Sequence, residues 1–170
     1  MTMTLAELNL CTPEDFVAGV GFTFEHSPWI AEEAAKGRPF ASIDALHSRM
    51  VEVVGGSPEE KRIALIAAHP DLAGRVAREG RLTVASRGEQ ASAGLDKLTP
   101  DEIARFERLN SEYRARFGFP FVICAREHGK ASILNEIERR AENDRQTEIA
   151  TALAEIAKIA RLRLVDTIAE

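Results

Sequence analysis

The residue with the clearest potential for acid–base chemistry is His69, which stands between an apolar, helix-forming stretch and a proline. The preceding residues 61–68 read Lys-Arg-Ile-Ala-Leu-Ile-Ala-Ala, and Pro70 disfavours helical backbone in the residue before it. A helix is therefore predicted to end at His69, where backbone carbonyls favour a protonated imidazole. This placement suits a general acid or base, although a histidine that only caps the last carbonyls fits the same pattern.

A second candidate is the pentapeptide Ser86-Arg87-Gly88-Glu89-Gln90. Ser-x-x-Glu is typical of a capping box, in which Glu89 would accept a hydrogen bond from the backbone of Ser86. Alternatively, the same helix start would present free N–H groups and the positive end of its dipole to an anionic ligand. In that case Gln90 could recognise a urea-like group through its paired donor and acceptor. The spacing leaves both interpretations open.

Arg163 is predicted to lie on the buried face of the last helix. At about 100° per residue it falls within the arc of that helix's apolar residues, whereas Arg161 falls outside it. A buried guanidinium requires a carboxylate or a bound anion. An ion pair with one of the 27 acidic residues and a role in ligand binding both remain open. The apolar residues that define the arc are Ile149, Leu153, Ile156 and Ala160.

The remaining polar residues form no metal or phosphate motif. His26 and His47 lie before Pro28 and within a helical stripe, and His128 lies in a charged loop, so core or surface roles are favoured. No His or Cys pair has zinc spacing, and no acidic triad, glycine-rich phosphate loop or GxSxG elbow occurs. The net charge of −5 and the scattered Lys and Arg residues also argue against a nucleic-acid-binding protein.

The composition is that of a soluble globular protein, because 45% of the 170 residues are hydrophobic and 29% are charged. The two cysteines, Cys11 and Cys124, are too few for a disulfide scaffold and favour a reducing compartment. No apolar run approaches ~18 residues, so no membrane-spanning helix is expected. Residues 1–10 do not read as a secretory signal and residues 168–170 are not a peroxisomal tripeptide, so we expect a cytoplasmic protein.

Helices must position these residues, and the sequence marks several helix starts. A capping residue, a proline and two acids form the preferred entry to a helix, because the first N–H groups lack internal partners and favour negative charge. This pattern occurs at Thr12–Asp15, Ser57–Glu60 and Thr99–Glu102. The last two also place Glu at the third helical position, as in a capping box.

Apolar stripes at helical spacing predict helices over Ser42–Val54, Asp101–Phe117 and about Arg145–Ile168. Only Phe119–Ala125 has the composition of a strand. Because this segment is isolated, we expect a buried extended connector that belongs to no sheet. With no repeat, linker or domain boundary in view, the sequence predicts an all-α, single-domain fold of about eight to nine helices over residues 1–170.

Further motifs accompany these candidates along most of the chain. Residues 69–74 read His-Pro-Asp-Leu-Ala-Gly, residues 86–90 continue into Ala-Ser-Ala-Gly-Leu, and a third motif reads Asn110-x-x-Tyr113-x-x-x-Phe117-Gly118-Phe119-Pro120-Phe121. In this combination the chain resembles the 2-oxo-4-hydroxy-4-carboxy-5-ureidoimidazoline (OHCU) decarboxylase family. The likeness extends upstream to Glu25–Trp29 and Arg38–Phe40, and downstream to Lys158–Leu164.

The resemblance implies an all-α fold, no cofactor, OHCU as a small-molecule substrate, (S)-allantoin as the product, and commonly a homodimer. It places catalysis on His69, Glu89 and Arg163. The residues that it places around the substrate are Pro70, Ser86, Arg87, Gly88, Glu89, Gln90 and the backbone of Phe121, Val122, Ile123, Cys124 and Ala125.

The chemistry of this substrate explains why no cofactor is expected. An imine carbon adjoins the carbon that bears the hydroxyl and carboxylate groups, so the electron pair left by departing carbon dioxide flows into the imine and gives an enol. We expect His69 to act as general base on the hydroxyl and Glu89 to orient the histidine and the ureido group. Arg163 is expected to clamp an anionic or carbonyl oxygen through its planar fork.

Two other classes of protein fit the same residues. A helical binding module for a ureide or purine-like ligand would use the same pocket without turnover. In a structural protein, His69 and Glu89 would be helix caps and Arg163 a buried ion pair. A metal-dependent hydrolase is less favoured because the chain lacks metal-ligand spacing.

Overall fold

The computed structural model describes residues 2–74, 77 and 79–169. Over these residues the chain is predominantly helical, with nine α-helices, three short 3-10 turns and one pair of two-residue strands. The predicted all-α class is therefore confirmed. The chain divides into two compact units: unit 1 comprises residues 1–68 and 156–170, and unit 2 comprises residues 69–155. None of the described helices is both long and apolar enough to cross a membrane.

Unit 1 contains the helices from the first part of the chain and the end of the last helix. Its two strands, Met3–Thr4 (β1) and Ile168–Ala169 (β2), pair in parallel, which the sequence analysis did not predict. Its core is aliphatic and aromatic, and includes Leu8, Phe16, Val20, Ile30, Leu46, Met50, Ala160 and Leu164. The helices are α1 (Leu5–Leu10), α2 (Pro13–Val20), α3 (Trp29–Ala34), α4 (Ile43–Gly55) and α5 (Glu59–Ala67).

The predicted helix starts in unit 1 are right for α2 and α4 but wrong in detail for α5. Thr12 and Ser42 cap α2 and α4 with their side chains. Ser57, by contrast, donates its hydroxyl hydrogen bond back to the carbonyl of Val54 at 2.6 Å, and Pro58 occupies the N-cap of α5 without a side-chain bond. Because α4 ends at Gly55, the carbonyl of Val54 lies within reach of Ser57. The hydroxyl of Ser57 therefore bonds to the end of α4 and does not cap α5.

Unit 2 contains α6 (Val84–Ser92), α7 (Pro100–Phe117), α8 (Lys130–Arg140) and the first part of α9 (Arg145–Thr167). The capping box predicted at the start of α7 is present, because the side chains of Thr99 and Glu102 each pair with the other's backbone N–H. The core of unit 2 is rich in aromatic and branched side chains, namely Phe106, Leu109, Tyr113, Phe117, Phe119, Phe121, Ile133 and Ile137.

The extended connector predicted between α7 and α8 is also present. Gly118 ends α7 in the left-handed conformation, with φ of 81°, which a residue without Cβ adopts at no steric cost. The chain then runs without helix or strand from residue 120 to residue 124. Residues 121–125 are buried, and Ala125 begins a short 3-10 turn, Ala125–Glu127. The strand-like composition of this segment therefore reflects burial, not membership of a sheet.

Candidate active site

His69 lies just beyond the end of α5, as the sequence predicted. The helix ends at Ala67, Ala68 is its C-cap, and His69 follows in a bend with its side chain buried at 7% exposure. Pro70 is half-buried and starts a loop, residues 70–74, that carries no regular secondary structure. A buried imidazole next to an irregular loop can exchange a proton with a ligand in a site shielded from bulk water.

The loop after His69 is held by the side chain of Gln90. Its Oε1 accepts a hydrogen bond from the backbone N–H of Ala73 at 3.0 Å, and its Nε2 donates to the carbonyl of Asp71 at 3.5 Å. Both ends of the amide are thus engaged with the loop, whereas one of the two interpretations left open by the sequence had them recognise a urea-like ligand. Through this amide, α6 and the His69 loop are fixed to each other.

Of the two interpretations left open for the pentapeptide, the capping box with Ser86 as its N-cap is wrong. Helix α6 begins at Val84, and its N-cap is Thr83, whose hydroxyl accepts a hydrogen bond from the N–H of Ser86 at 3.2 Å. Thr83 is itself a capping residue three positions before Ser86, so the helix starts almost one turn earlier than the Ser-x-x-Glu pattern suggested. Glu89 therefore lies in the body of α6, and the positive end of the helix dipole lies before it.

The five residues of the pentapeptide divide between two sides of α6. Ser86 and Gln90 are one turn apart and buried, at 4% and 5% exposure, and Glu89 between them is half-buried. Arg87 and Gly88 are exposed, and Arg87 donates from Nη2 to the carbonyl of Gly80 at 3.1 Å. The structure therefore brings Ser86, Glu89 and Gln90 to one face and directs Arg87 and Gly88 away from it.

A cavity of about 290 Å³ in unit 2 is bordered by residues of α6, Gln90 among them, and by Ala73 of the His69 loop. Its walls are mostly aliphatic, and neither His69 nor Glu89 lines it. It therefore lacks the acid–base groups that the predicted chemistry requires, and we do not assign it to the reaction. Its lining residues are Ala73, Ala77, Leu82, Arg87, Gln90, Ala91, Leu95, Asp96, Leu98 and Ile103.

The buried segment Phe121–Ala125 completes this region of unit 2. The turn Ala125–Glu127 packs against α6. Buried side chains fix the segment's backbone: Val122 accepts a hydrogen bond from Arg140 Nη1 at 2.8 Å, and the N–H of Cys124 donates to Glu155 Oε1 at 3.5 Å. Unit 2 thus gathers the His69 loop, one face of α6 and this segment, which are three of the elements predicted to surround a ligand.

Arg163 lies in unit 1 and is buried, as its place in the apolar arc predicted. Its exposure is 3%, and its Nη1 donates to Glu25 Oε2 at 2.7 Å and to the carbonyl of Phe22 at 3.3 Å. Glu25 is 2% exposed, so this is a buried ion pair. The carboxylate partner that a buried guanidinium requires is therefore part of the protein.

A second buried ion pair, which was not predicted from the sequence, lies in unit 2. Arg140 Nε donates to Glu148 Oε1 at 2.9 Å, and the two residues are 1% and 0% exposed. The hydroxyl of Tyr113 also donates to Glu148 Oε1, and burial, together with this hydrogen bond, raises the pKa of Tyr113. The signal was available: Ile133, Ile137 and Arg140 follow the i, i+4, i+7 spacing of a buried stripe.

Two of the other histidines lie within hydrogen-bond distance of oxygen atoms of the protein. His47 Nε2 is 2.7 Å from the carbonyl of Ala157, and His128 Nδ1 is 2.7 Å from Ser132 Oγ. Both cysteines are free thiols. In the part of the chain that the structure describes, His, Cys, Asp and Glu form no group of three or more that could hold a metal ion.

Comparison with known proteins agrees with the sequence motifs and the helical fold. Residues 9–165 match the family model described as OHCU decarboxylase. A 2-oxo-4-hydroxy-4-carboxy-5-ureidoimidazoline decarboxylase from Haloferax volcanii is 43% identical over 96% of this chain and 95% of its own length. One from Amia calva is 41% identical over 98% and 95% of the two chains.

A solved structure gives the same result. The crystal structure of an (S)-allantoin synthase matches with a TM-score of 0.78 and 28% identity, and the alignment covers 98% of this chain and 54% of that one. The family model, the relatives and the fold thus agree over almost the entire length of the sequence. The chain belongs to the OHCU decarboxylase family.

Proposed function

We propose that this protein decarboxylates OHCU to (S)-allantoin without a cofactor, using His69, Glu89 and Arg163 as catalytic residues. The protein is a carboxy-lyase of urate degradation, and the conversion of OHCU to allantoin follows from its family. The residue assignment is supported by one observation in unit 2: His69 is buried, and the loop that follows it is hydrogen-bonded to Gln90, on the face of α6 that also carries Glu89. Arg163 enters the proposal through the family resemblance and its burial.

The reaction can proceed on the substrate's own electrons. The bond between the ring carbon and the carboxylate breaks, its electron pair forms a double bond to the former imine carbon, and the imine nitrogen takes up a proton. The resulting enol then gains a proton on the former imine carbon and loses its hydroxyl proton, which gives the carbonyl of allantoin. Each turnover therefore consumes one OHCU anion and one proton, and forms one allantoin and one carbon dioxide.

Three side chains have separate roles in this proposal. His69 accepts the hydroxyl proton, Glu89 orients the imidazole and the ureido group, and Arg163 binds a substrate oxygen. General acid–base catalysis of this type contributes about 10²–10⁴-fold to the rate. The ion pair with Glu25 would fix the plane of the Arg163 guanidinium before substrate arrives, which reduces the entropy lost on binding.

The proposed substrate-binding surface is narrower than the sequence motif suggested. Pro70, Ser86, Gln90 and the backbone of residues 121–125 remain in it, because they belong to the three elements that unit 2 gathers. We leave out Arg87 and Gly88, which lie on the exposed side of α6. In this proposal Gln90 acts on the substrate mainly by holding the His69 loop.

We also propose that the protein is cytoplasmic and acts as a homodimer. The two free cysteines support a reducing compartment, and the family resemblance supports the dimer. Light scattering at several protein concentrations should give a mass twice that of the chain. A mass equal to that of one chain at micromolar concentration would contradict the dimer.

The decisive experiment generates OHCU in situ from urate and follows it by circular dichroism with and without the protein. We expect rapid appearance of one enantiomer of allantoin, because spontaneous decay gives a racemate. Activity that survives dialysis against a chelator would support a cofactor-free reaction. Unchanged rate and handedness, with allantoin still bound in calorimetry, would instead favour a non-catalytic binding module.

His69→Asn tests the general base. The substitution should lower turnover by about 10²–10⁴-fold, because asparagine cannot accept the proton. His128→Asn is the matched control: His128 is half-buried, its Nδ1 lies 2.7 Å from Ser132 Oγ, and it has no role in the proposed reaction. Turnover close to wild type in His69→Asn would remove His69 from the mechanism.

A further inference from the structure

We infer that the buried face of α7 positions both irregular segments of the proposed active site. Asn110 fixes the loop that follows His69, and Tyr113, acting with Glu148 and Arg140, fixes the segment that begins at Phe121. This inference rests on the proposed function, because it assigns a role to these residues in that same site. Neither Asn110 nor Tyr113 has a place in the chemistry proposed above, although both belong to the motif that begins at Asn110.

Asn110 holds the His69 loop from one side. It is 5% exposed, and its Nδ2 donates to the carbonyl of Leu72 at 2.9 Å. The next residue, Ala73, has φ of 54°, a left-handed conformation that residues with a Cβ rarely adopt. Such a conformation persists only when the surroundings fix it, and two hydrogen bonds supply that constraint: Ala73 N–H donates to Gln90, and Asn110 donates to the carbonyl of Leu72.

A second residue of α7 reaches the same loop one turn later. Arg114 Nη2 donates to Asp71 Oδ1 at 2.9 Å, with both side chains partly exposed. Residues four apart lie on the same side of a helix, so Asn110 and Arg114 form a continuous support along α7. The loop that sets the direction of His69 is therefore tied to a single long helix.

Tyr113 starts a chain of contacts that ends at the other segment. Its hydroxyl and Arg140 Nε both donate to Glu148 Oε1, and Arg140 Nη1 donates to the carbonyl of Val122. The guanidinium also lies 4.4 Å above the centre of the Phe121 ring. The Tyr113 ring meets the same aromatic ring edge-on at 5.3 Å, so two side chains fix Phe121 directly.

Such polar groups are not needed to fill a core. Replacing a buried ion pair by apolar residues of similar volume is often neutral or stabilising, so burial alone does not explain Arg140 and Glu148. The segment they contact has no strand partner, and its backbone groups require hydrogen bonds from elsewhere. Asn110 Oδ1 has no partner in the described part of the chain, which indicates that this side chain acts through its donor.

The two supports should have different effects on the reaction. The loop directly follows the proposed base, His69, and Pro70 is its only residue in the proposed substrate-binding surface. Loosening the loop should therefore lower kcat more than it weakens ligand binding. The segment from Phe121 offers backbone groups to the ligand, so loosening it should weaken ligand binding. A purely structural role would change the stability of the variants but would leave kcat and ligand affinity of the folded protein unchanged.

Asn110→Leu tests the first support. The change keeps the volume and removes the donor to Leu72, and we expect kcat to fall about 10- to 100-fold because the base is misplaced. The Kd for (S)-allantoin, measured by calorimetry, should stay within about twofold of wild type. Ser111→Leu, on the exposed side of the same helix, is the matched control and should keep both values.

Arg140→Lys tests the second support. Lysine keeps the positive charge beside Glu148 but cannot also lie flat on Phe121 and donate to Val122, and we expect the Kd for (S)-allantoin to rise about tenfold. Arg139→Lys is the matched control, because Arg139 lies on the same helix and its pair with Glu136 is exposed. If Arg140→Lys does not fold, Tyr113→Phe replaces it. This variant removes only one hydroxyl, so we expect a smaller rise in the Kd for (S)-allantoin.

The outcomes separate this inference from the proposed function. An inactive wild-type protein would overturn the proposed function and this inference with it. An active wild type, with folded Asn110→Leu and Arg140→Lys variants that keep its kcat and Kd, would overturn only the inference. If Asn110→Leu does not fold, Arg114→Gln replaces it, and a kcat equal to wild type in that variant would likewise contradict the support by α7.

Discussion

Among the residues that the structure describes, a fully buried arginine–glutamate pair is found in each unit, and the two pairs differ in what surrounds them. In unit 1, Arg163 Nη1 donates to Glu25 at 2.7 Å and to the carbonyl of Phe22. In unit 2, Arg140 and Glu148 belong to a larger network that includes the hydroxyl of Tyr113, the amide of Asn143 and the carbonyl of Val122. The first pair joins two distant parts of the sequence, whereas the second joins neighbouring helices.

Burial alone therefore does not define the role of an arginine. Both Arg163 and Arg140 lie on apolar stripes of their helices, and both have a carboxylate partner. The role depends on which backbone groups and ligands the guanidinium reaches. We assign Arg163 to the substrate and Arg140 to the positioning of a substrate-binding segment, and the variants below test that division.

The largest effect is expected from breaking the pair in unit 1. Arg163→Met leaves the carboxylate of Glu25 buried without its cation, so we expect the free energy of unfolding to fall by about 3–5 kcal/mol, with loss of turnover. Adding Glu25→Gln should restore most of the stability but not the turnover. Urea unfolding and the allantoin assay measure the two quantities separately, and a double variant with wild-type turnover would exclude Arg163 from catalysis.

Replacing both charged residues of the pair in unit 2 should restore less of the unfolding free energy than the double variant in unit 1 does. In Arg140→Met with Glu148→Gln, the carbonyl of Val122 still lacks its donor, and we expect about 1–3 kcal/mol of the unfolding free energy to remain lost. The exposed pair on the same helix provides the control: Arg139→Met with Glu136→Gln should change stability by no more than about 0.5 kcal/mol. Full recovery in unit 2 would mean that the bond to Val122 contributes nothing.

A smaller effect is expected at alkaline pH. Burial and the hydrogen bond to Glu148 raise the pKa of Tyr113 in the folded protein above its ordinary value of 10.0. Its contribution to stability is therefore fully present below about pH 10 and is lost as the pH rises further, by at most about 1.4 kcal/mol per pH unit. Tyr113→Phe should remove this part of the decline and cost about 1 kcal/mol at neutral pH.

The chain contains a single tyrosine, so ultraviolet absorbance reports the ionisation of Tyr113 directly. Folded protein should show no tyrosinate at the pH where the urea-unfolded chain is half ionised. A folded protein that titrates like the unfolded chain would show that the hydroxyl is not held as the structure describes.

Local sequence signals predicted the helices well and their partners poorly. The starts at Thr12, Ser42 and Thr99 were correct because a cap depends on residues within one turn. The pattern at Ser86 could not be decided from the sequence because a second capping residue, Thr83, lies three positions earlier, and both spacings fit a helix start. The choice between them depends on how the preceding chain packs.

Features that join distant residues were not predictable in this way. The burial of Arg163 followed from its helix, but nothing in the sequence identifies Glu25, 138 positions away, as its partner. The same holds for the parallel pairing of Met3 with Ile168. Asn110 stood out only as part of a motif, and the hydrogen bond to Leu72 on which its proposed role rests joins residues 38 positions apart.

We expect no difference between the two units in the urea concentration at which they unfold. Each carries one natural reporter: the only tryptophan, Trp29, lies in unit 1, and the only tyrosine, Tyr113, lies in unit 2. We propose that residues 1–170 form a single cooperative domain, because α9 continues through the boundary at residue 155. Fluorescence of Trp29 and absorbance of Tyr113 should then give the same urea midpoint. Arg163→Met should lower both midpoints equally, whereas a shift seen by Trp29 alone would show that the units unfold as separate domains.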